Sequence, residues 1–451
     1  MGNHTLTTNI RRSSLIMRIL ACGAIVLALC APAASAEINV SEAERDYMEA
    51  LYLHFHRNPE LSLYEFETAA RMAEEFAAAG YEVTADVGGT GVVGVLHNGE
   101  GPTVMIRGDM DALPVKELTR VPYASTAMTV DELGRTVPVM HACGHDIHIT
   151  NLIGVARKLS SQRDDWRGTV VLVAQPAEER GLGARAMIED GLFTRFPRPD
   201  YNLGLHVTAN LPAGQAGYKP EFAMANVDSV DIIVHGTGGH GAAPHLTRDP
   251  IVLSAYIVTA LQTLVARNLN PIDQGVVTVG SIHGGTKHNI ISDRVDLQLT
   301  VRSYSDANRA LLLDGIARIA RAQGKAMGLP DDRLPEVIVK NEFTPALYND
   351  PELSNRLADT LRAELGAENV EQSKPVMGGE DFARFGRTEE RIPGFYFWLG
   401  AADPDAHAQA ESEGRKLPAT HSPFFLPAYE RTLETGVRTM TAAALELLAK
   451  P

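Results

Sequence analysis

Cysteine is scarce in this 451-residue sequence, which contains only Cys22, Cys30 and Cys143. The first two fall in an N-terminal apolar stretch that is typical of a cleavable signal, so the mature chain would carry a single thiol. One cysteine cannot form an internal disulfide, and a lone thiol in an oxidising compartment points to a metal ligand or a nucleophile. Cys143 is therefore expected to take part in the chemistry of the protein.

An excess of positive charge is also lacking. The chain has 41 Lys+Arg against 56 Asp+Glu, and removal of the three arginines within residues 1–36 would change its net charge from −15 to −18. This balance argues against nucleic acid or an anionic membrane surface as a partner. The composition, 45% hydrophobic and 22% charged, is that of a globular protein, and the length predicts two domains.

Long hydrophobic runs are few as well. The apolar stretch that begins at Met17, behind positive charges, is too short to predict a membrane span. It is followed by an Ala-Ser-Ala sequence that ends at Ala36 and is typical of a signal-peptidase site. We therefore expect residues 1–36 to be a signal peptide cleaved after Ala36, and the mature protein to be periplasmic or secreted.

A dense group of metal-binding residue types stands out in the remaining chain. Residues 141–148 read His-Ala-Cys-Gly-His-Asp-Ile-His. Cys143 and His145 are two positions apart, so on a looped backbone both side chains can turn toward one point. Thiolate and imidazole are ligands that zinc takes readily. This segment predicts a metal site, the alternative being a polar loop.

Further candidate ligands follow hydrophobic strands. Asp109 and Asp111 come after a strand at residues 103–107, the pair Glu178-Glu179 follows a buried strand at 168–175, and His206 ends another strand. In open α/β sheets, functional sites collect at the carboxyl ends of the strands. The alternatives are solvated loop acids and a buried structural histidine.

The pattern of elements predicts how the chain is divided. Predicted strands alternate with helices up to residue 221. The predicted pattern changes over 222–332 to several strands and two helices, and residues 333–451 return to the first pattern. We expect an α/β fold in which 37–221 and 333–451 form a catalytic domain. The segment 222–332 would form a smaller inserted α+β domain.

Seven motifs occur in an order that resembles the metal-dependent amidohydrolases, the family of aminoacylase, hippurate hydrolase and indole-acetyl-amino-acid hydrolase, which also includes carboxypeptidases. They are His-Arg-Asn-Pro-Glu-Leu (56–61), Arg-Gly-Asp-Met-Asp-Ala-Leu-Pro (107–114), the 141–148 segment, Gln-Pro-Ala-Glu-Glu (175–179), Gly-Gly-His-Gly-Ala-Ala-Pro-His (238–245), Met-Gly-Gly-Glu-Asp-Phe (377–382) and His-Ser-Pro (421–423). Each is weak alone, whereas the ordered set spans nearly the whole mature chain and is specific.

The resemblance implies a catalytic domain with a central mixed sheet flanked by helices, interrupted by a lid or dimerisation domain. It implies Glu178 as the general base and metal ligation by Cys143, His145, Glu179, His206 and His421. Neighbouring carboxylates on an extended backbone point in different directions, so one can bind metal while the other accepts a proton from water.

The resemblance also implies roles for residues that are not metal ligands. Asp111 would orient a ligand imidazole by a hydrogen bond. His240 would stabilise the oxyanion, from the partner subunit of a homodimer, and Asn289 with Arg302 would hold a substrate carboxylate. Asp109 stands where many family members have a ligand histidine, which leaves open which group bridges the metals and whether one or two ions bind.

The function expected from the sequence is metal-dependent hydrolysis of the amide bond of N-acyl amino acids, with one or two Zn or Mn ions per subunit. A metallo-carboxypeptidase or dipeptidase acting on short peptides is the alternative within the same class. A cysteine hydrolase with Cys143 as nucleophile and a catalytically silent binding protein are the alternatives from other classes.

Overall fold

An eight-stranded mixed sheet organises the part of the chain that the structure, a computed structural model, describes, namely residues 1–2 and 38–450. The predicted cleavage site after Ala36 and the apolar stretch before it lie outside the described residues. The strand order is β1-β2-β6-β3-β7-β18-β8-β17. The four central strands β6, β3, β7 and β18 run parallel to one another, and β2 and β8 flank them in the antiparallel direction.

The elements are as follows. The helices are α1 (Glu42–Arg57), α2 (Phe66–Ala78), α3 (His145–Ser161), α4 (Gly183–Glu189), α5 (Leu192–Arg195), α6 (Pro250–Thr263), α7 (Asp306–Ala326), α8 (Pro351–Leu365), α9 (Pro404–Ser412) and α10 (Tyr429–Leu447). The strands are β1 (Glu82–Val87), β2 (Gly91–Asn98), β3 (Thr103–Asp109), β4 (Met128–Val130), β5 (Thr136–Pro138), β6 (Gly168–Gln175), β7 (Tyr201–Pro212), β8 (Ala216–Tyr218), β9 (Glu221–Met224), β10 (Asn226–His235), β11 (Gly239–His240), β12 (Gly275–Gly284), β13 (Ile290–Ile291), β14 (Arg294–Ser303), β15 (Glu336–Thr344), β16 (Leu347–Asn349), β17 (Val370–Gln372) and β18 (Gly394–Ala402).

Local sequence explains where the first helix begins and which face it buries. Ser41 caps α1 in a capping box, because its side chain accepts from the Glu44 N–H while the Glu44 carboxylate accepts from the Ser41 N–H at 2.7 Å. Leu51 and Phe55, four residues apart, are both 1% exposed. The helix is therefore held at its start by its cap and along its length by one buried stripe.

Apolar residues cover both faces of the large sheet. Every residue of β6 is buried, which is expected of a central strand with helices on both sides. On one face the core is formed with α1, α2, α3, α8 and α10, and on the other with α4 and α5. The prediction of an α/β fold with a central mixed sheet flanked by helices is confirmed.

A second sheet has the order β12-β14-β10-β15 and a core of its own. Residues of β10 alternate between buried positions such as Val230 and half-buried ones such as Ser229, because α6 and α7 cover only one face. Strand β15 belongs to this sheet through its pairing with β10. The sheet thus extends to Thr344. The sequence predicted a return to the catalytic domain after residue 332, because the polar end of β15 gives no clear strand signal. The domain boundaries themselves stay predictions.

Candidate active site

The parallel strands β3, β6 and β7 bring their carboxyl ends to one edge of the large sheet. Asp109 ends β3, Glu178 and Glu179 follow β6, and His206 lies within β7. The amino end of α3 reaches the same edge and carries Cys143 and His145. Residues that are distant in sequence therefore meet because the strands that precede them are parallel neighbours.

The close approach of α3 to β7 depends on Gly144. This residue has φ +82°, a left-handed conformation that side chains rarely adopt. A Cβ there would also lie 2.4 Å from Val207 Cγ2. Glycine is thus the residue that lets the turn between Cys143 and His145 pack against β7.

One group of possible ligand atoms consists of Cys143, His145 and His206, whose donor atoms lie within 4.8 Å of one another. The Cys143 Sγ is 3.3 Å from the His206 Nε2. The Nδ1 atoms of both histidines lie 2.7 Å from backbone carbonyl oxygens, those of Asp111 and Val207, and donate to them. This arrangement leaves the Nε2 lone pairs free to bind a cation.

A second group consists of Cys143, Glu179 and His421, again within 4.8 Å. His421 Nε2 lies 3.4 Å from Glu179 Oε1, and this contact raises the pKa of the imidazole. The His421 N–H donates to the Ala142 carbonyl at 2.7 Å, which fixes the loop before α10 against the segment before α3. All five predicted metal ligands thus lie together, with Cys143 common to both groups.

The free atoms of these side chains fit a divalent metal. His145 Nε2 and Glu179 Oε1 are buried and have no hydrogen-bond partner among the described residues, and they face each other at 4.0 Å. Burial and the charges of nearby carboxylates, Glu179 first, raise the pKa of the Cys143 thiol. A cation bound among them would satisfy both unpartnered atoms and stabilise the thiolate.

His148, also in the 141–148 segment, is already satisfied. Its Nδ1 donates to Asp109 Oδ1 at 2.5 Å, and its Nε2 accepts from the Val207 N–H at 3.0 Å. Neither ring nitrogen is left for a metal, so His148 supports Asp109 and β7 rather than joining the ligand group.

The surroundings of Glu178 favour the protonated form of its carboxyl group. Burial, and then the charge of Glu380, raises the pKa of its carboxyl group well above the usual range. The side chains of Glu178, Glu380 and Asp381 bring carboxylate oxygens within 4.8 Å of one another. A raised pKa is what a general base needs to accept a proton and then release it.

Asp111 contributes to the site by accepting hydrogen bonds from the backbone of Glu178 and Glu179. Its Oδ1 accepts from the Glu178 N–H at 3.1 Å and its Oδ2 from the Glu179 N–H at 3.0 Å. Ser62 Oγ also donates to Oδ2 at 2.6 Å. His145 Nδ1 is closer to the Asp111 backbone oxygen, at 2.7 Å, than to its carboxylate, at 3.4 Å. The orientation of a ligand imidazole by this carboxylate stays a prediction, and in the structure the same carboxylate also holds the Glu178-Glu179 turn.

Two other supports of the site carry no signal in the sequence. Glu65 is fully buried and accepts from the Ala177 N–H at 2.8 Å, just before Glu178. Arg107 is buried between Asp109, at 2.6 Å, and Glu380, at 2.8 Å. Both are single charged residues, and only the tertiary fold shows what they contact.

A cavity of about 720 Å³ opens over these groups and reaches the four-stranded sheet. Arg302, on β14, lines it, and its Nη1 donates to the Met377 carbonyl at 2.6 Å. The predicted substrate-binding arginine therefore faces the same cavity as Glu178 and the ligand group.

The structure does not bring His240 and Asn289 to this cavity. They lie side by side on exposed backbone, where the Gly241 N–H donates to the Asn289 carbonyl at 2.8 Å and β11 pairs with β13. A role in catalysis for either residue would need a second subunit, so their predicted roles stay predictions.

A half-buried carboxylate of raised pKa beside a group of free metal-ligand atoms is the arrangement of a metal-dependent amide hydrolase. The chain belongs to Peptidase family M20/M25/M40, whose model matches residues 105–445. The resemblance inferred from the motifs is thus confirmed.

Named relatives fall on both sides of the amidase and peptidase division. The chain is 38% identical over 342 residues to hippurate hydrolase of Campylobacter jejuni, covering 75% of this chain and 84% of the relative. It is 37% identical over 366 residues to thermostable carboxypeptidase 2 of Saccharolobus solfataricus, covering 80% and 87%. A crystal structure of a dinuclear metal-binding peptidase of the M20 family from Bacillus subtilis matches with a TM-score of 0.73 and 28% identity, covering 90% and 99%.

Proposed function

We propose that the protein hydrolyses the amide bond of N-acyl amino acids and releases a carboxylic acid and a free amino acid. The observation that carries this is the shared cavity, in which Glu178 and the ligand group face Arg302. Arginine is suited to bidentate binding of a carboxylate, here the free carboxylate of the amino-acid half. Hippurate hydrolase and N-acetyl-L-cysteine deacetylase are names of relatives that fit this substrate class.

Zinc or manganese is the proposed metal, held by Cys143, His145, Glu179, His206 and His421. The two ligand groups share Cys143, which suits two ions. A divalent metal supplies Lewis acidity toward the amide carbonyl and acidifies water. The mixed sulfur, nitrogen and oxygen donors favour zinc, although they do not exclude manganese.

Glu178 would move the proton in this reaction. Its carboxylate accepts a proton from the attacking water and returns it to the leaving amine nitrogen. Asp111 holds the backbone of Glu178 and Glu179 so that one side chain faces the ligand group and the other the substrate. Arg302 binds the substrate carboxylate and so sets the position of the amide along the cavity.

The test uses the purified protein with N-acetyl and N-benzoyl amino acids and with dipeptides, after chelator treatment and metal add-back. We expect amino-acid release from N-acyl substrates that is lost with chelator and restored by Zn²⁺ or Mn²⁺. Chelator-resistant activity abolished by thiol alkylation would instead support the cysteine hydrolase. A Glu178→Gln variant should keep its metal and lose about 10²–10⁴-fold in kcat; full turnover by this variant would overturn the assignment of the base.

A carboxypeptidase acting on short peptides is the second candidate, favoured by the 37% identity to thermostable carboxypeptidase 2. Both activities need a substrate whose free carboxylate binds Arg302. They differ in the group on the carbonyl side of the amide bond, which is a simple acyl group in one case and an amino acid or peptide in the other. A ratio of kcat/KM that favours peptides over N-acetyl amino acids would select this candidate.

A homodimer is proposed from the surface of the four-stranded sheet. Helix α6 and the residues that follow it form a segment that is long and apolar enough to cross a membrane. Only a third of this apolar segment is buried within the subunit. Tyr256 on α6 is 56% exposed and Ile282 on β12, an edge strand, is 54% exposed. Light scattering would give the mass of the assembly. Activity recovered by mixing His240→Ala with Glu178→Gln protein would support a His240 that acts across subunits.

Export with removal of residues 1–36 is proposed from the signal-like sequence. N-terminal sequencing of the protein isolated from its natural compartment would show Glu37 as the first residue, whereas a retained N-terminus would refute cleavage.

A further inference from the structure

The cavity over the candidate active site has two walls of different character. One wall carries Glu178 and the ligand group, and the other is the face of the four-stranded sheet that α6 and α7 leave uncovered. On β10 this open face presents Val227 and Ser229, which line the cavity, whereas Val230 points to the helices and is 1% exposed. A substrate in the cavity would therefore contact the sheet through its open face.

Arg302 lies in a row of three residues on that face. The register pairs Val227 with Arg302 on β14 and with Thr344 on β15. Residues directly opposite one another on neighbouring strands project from the same face of a sheet. All three line the cavity, so this row forms the wall opposite the ligand group.

Glu342 is two residues before Thr344 on β15 and also lines the cavity. Side chains two apart in a strand share a face. Between Asp228 and Val230, the pairing on β15 moves from Phe343 to Val339, an irregularity opposite Ser229. A bulge of this kind redirects side chains and is common next to active sites. Glu342 lies within this bulge, where regular alternation does not hold, and its exposed side chain lines the cavity beside the space in which substrate would lie.

The Glu342 carboxylate has no hydrogen bond or ion pair with any described residue, unlike its charged neighbours. Lys340, two positions away, pairs with Asp231 at 2.5 Å. Arg180, which also lines the cavity, pairs with Glu132 at 2.8 Å. Both of these cations thus form their ion pairs with other carboxylates, and Glu342 is left as a negative group at the cavity, away from the ligand group.

We propose that Glu342 determines specificity by selecting an amino-acid half with a cationic side chain. The substrate carboxylate would lie at Arg302 and the side-chain ammonium or guanidinium at Glu342. This inference rests on the function proposed above and narrows it to N-acyl derivatives of lysine-like or arginine-like amino acids.

The separation of the two residues suits such a substrate. Arg302 and Glu342 are two strands apart, about 10 Å across the sheet. Both have long side chains that reach inward from that spacing. A lysine-type side chain, a flexible four-carbon stem ending in a point charge, extends away from its own carboxylate and can meet both groups. A short or neutral side chain would contact Arg302 alone.

The experiment compares N-acetyl-L-lysine with N-acetyl-L-norleucine, a neutral analogue with the same carbon stem. Neither substrate has a free α-amine, so the only cation is that of the lysine side chain. For the wild-type enzyme with its metal, we expect kcat/KM to be about two- to fivefold higher for the lysine substrate, the scale of an exposed ion pair. In Glu342→Gln the ratio should fall to about one while the norleucine rate is kept.

Charge reversal and a matched control make the test specific. Glu342→Lys should favour N-acetyl-L-glutamate over the lysine substrate. Glu336→Gln changes a carboxylate on the same strand that does not line the cavity, and it should leave the wild-type ratio unchanged. Turnover of norleucine with no lysine preference, or a preference that survives Glu342→Gln, would overturn the inference while leaving the proposed function intact. Failure of the wild type to cleave any N-acyl amino acid would overturn the proposed function, and the inference with it.

Discussion

Replacement of Glu65 should lower turnover although this residue does not face the cavity. Its Oε1 accepts from the Leu63 N–H at 2.9 Å and the Ala177 N–H at 2.8 Å, and its Oε2 accepts from Thr90 Oγ1 at 2.7 Å. Ala177 has φ +47°, a left-handed conformation that costs free energy unless its surroundings impose it. Because Glu178 follows directly, the bond from Glu65 helps to fix the direction of the Glu178 side chain, the proposed general base.

The size of the effect follows from these bonds. Glu65→Ala leaves the buried donors of Ala177 and Thr90 without their acceptor, at about 1–3 kcal/mol each, whereas the part-buried Leu63 N–H can turn to water; a loss of about 2–5 kcal/mol of unfolding free energy is expected. A displacement of about 1 Å at a catalytic group can cost about 10²-fold in rate. We therefore expect kcat to fall about 10- to 100-fold with little change in KM.

Two variants separate positioning from general destabilisation. In Glu65→Gln the amide oxygen can still accept from Leu63 and Ala177, and the amide can donate to the Thr90 hydroxyl, so kcat should remain within about threefold of wild type. Glu60 is the matched control, because it accepts from the Glu67 and Thr68 N–H groups in the same segment without reaching Ala177.

The assay measures kcat, KM, bound metal and thermal unfolding for all three variants. Glu60→Ala should be destabilised and keep its kcat, whereas Glu65→Ala should lose both. If Glu65→Ala loses stability but turns over within about twofold of wild type, the bond to Ala177 does not position Glu178 and the reasoning fails.

Three further outcomes are expected. Removal of metal by chelator should lower the unfolding temperature and metal add-back should restore it, because a metal that binds only the folded protein stabilises it. An unfolding temperature that does not change with chelator would argue against a bound ion. Burial alone would lower the pKa of His56, but hydrogen bonds to Asp146 and Glu117 raise it from 6.5 to about 9. The resulting stabilisation of the folded state, about 3 kcal/mol at most, is present below pH 6.5 and is lost as the pH rises through 9. The difference in unfolding free energy between wild type and His56→Gln should therefore narrow between pH 6.5 and 9. Arg302→Ala should raise KM about 10- to 100-fold for N-acyl amino acids, and an unchanged KM would remove it from the substrate site.

The ligand group could be predicted from the sequence because its members lie in short motifs at predictable places. Glu178 and Glu179 directly follow β6, and Cys143 and His145 flank the start of α3. Parallel pairing of β3 with β6 and β7 then brings them together. Strand ends and helix starts are local properties, so the pattern alone indicated which side chains would share an edge.

The supports of the site could not be predicted in the same way. Glu65 and Arg107 are single charged residues whose partners are 112 and 273 positions away in sequence, at Ala177 and Glu380. No periodicity marks such a pair, and the choice among partners depends on how loops fold over the sheet. His240 and Asn289 depend on the quaternary structure, which a single chain does not contain.

The position of Asp109 accounts for the importance of Cys143. Asp109 has both carboxylate oxygens engaged, Oδ2 by Arg107 at 2.6 Å and Oδ1 by His148 at 2.5 Å. Despite its burial, the positive charge of Arg107 holds the pKa of this carboxyl group well below the usual range. Asp109 stands where many family members have a ligand histidine, yet it is occupied as the partner of a buried arginine. Cys143, 3.3 Å from His206, is by contrast the side chain that the two groups of possible ligand atoms around His206 and His421 share.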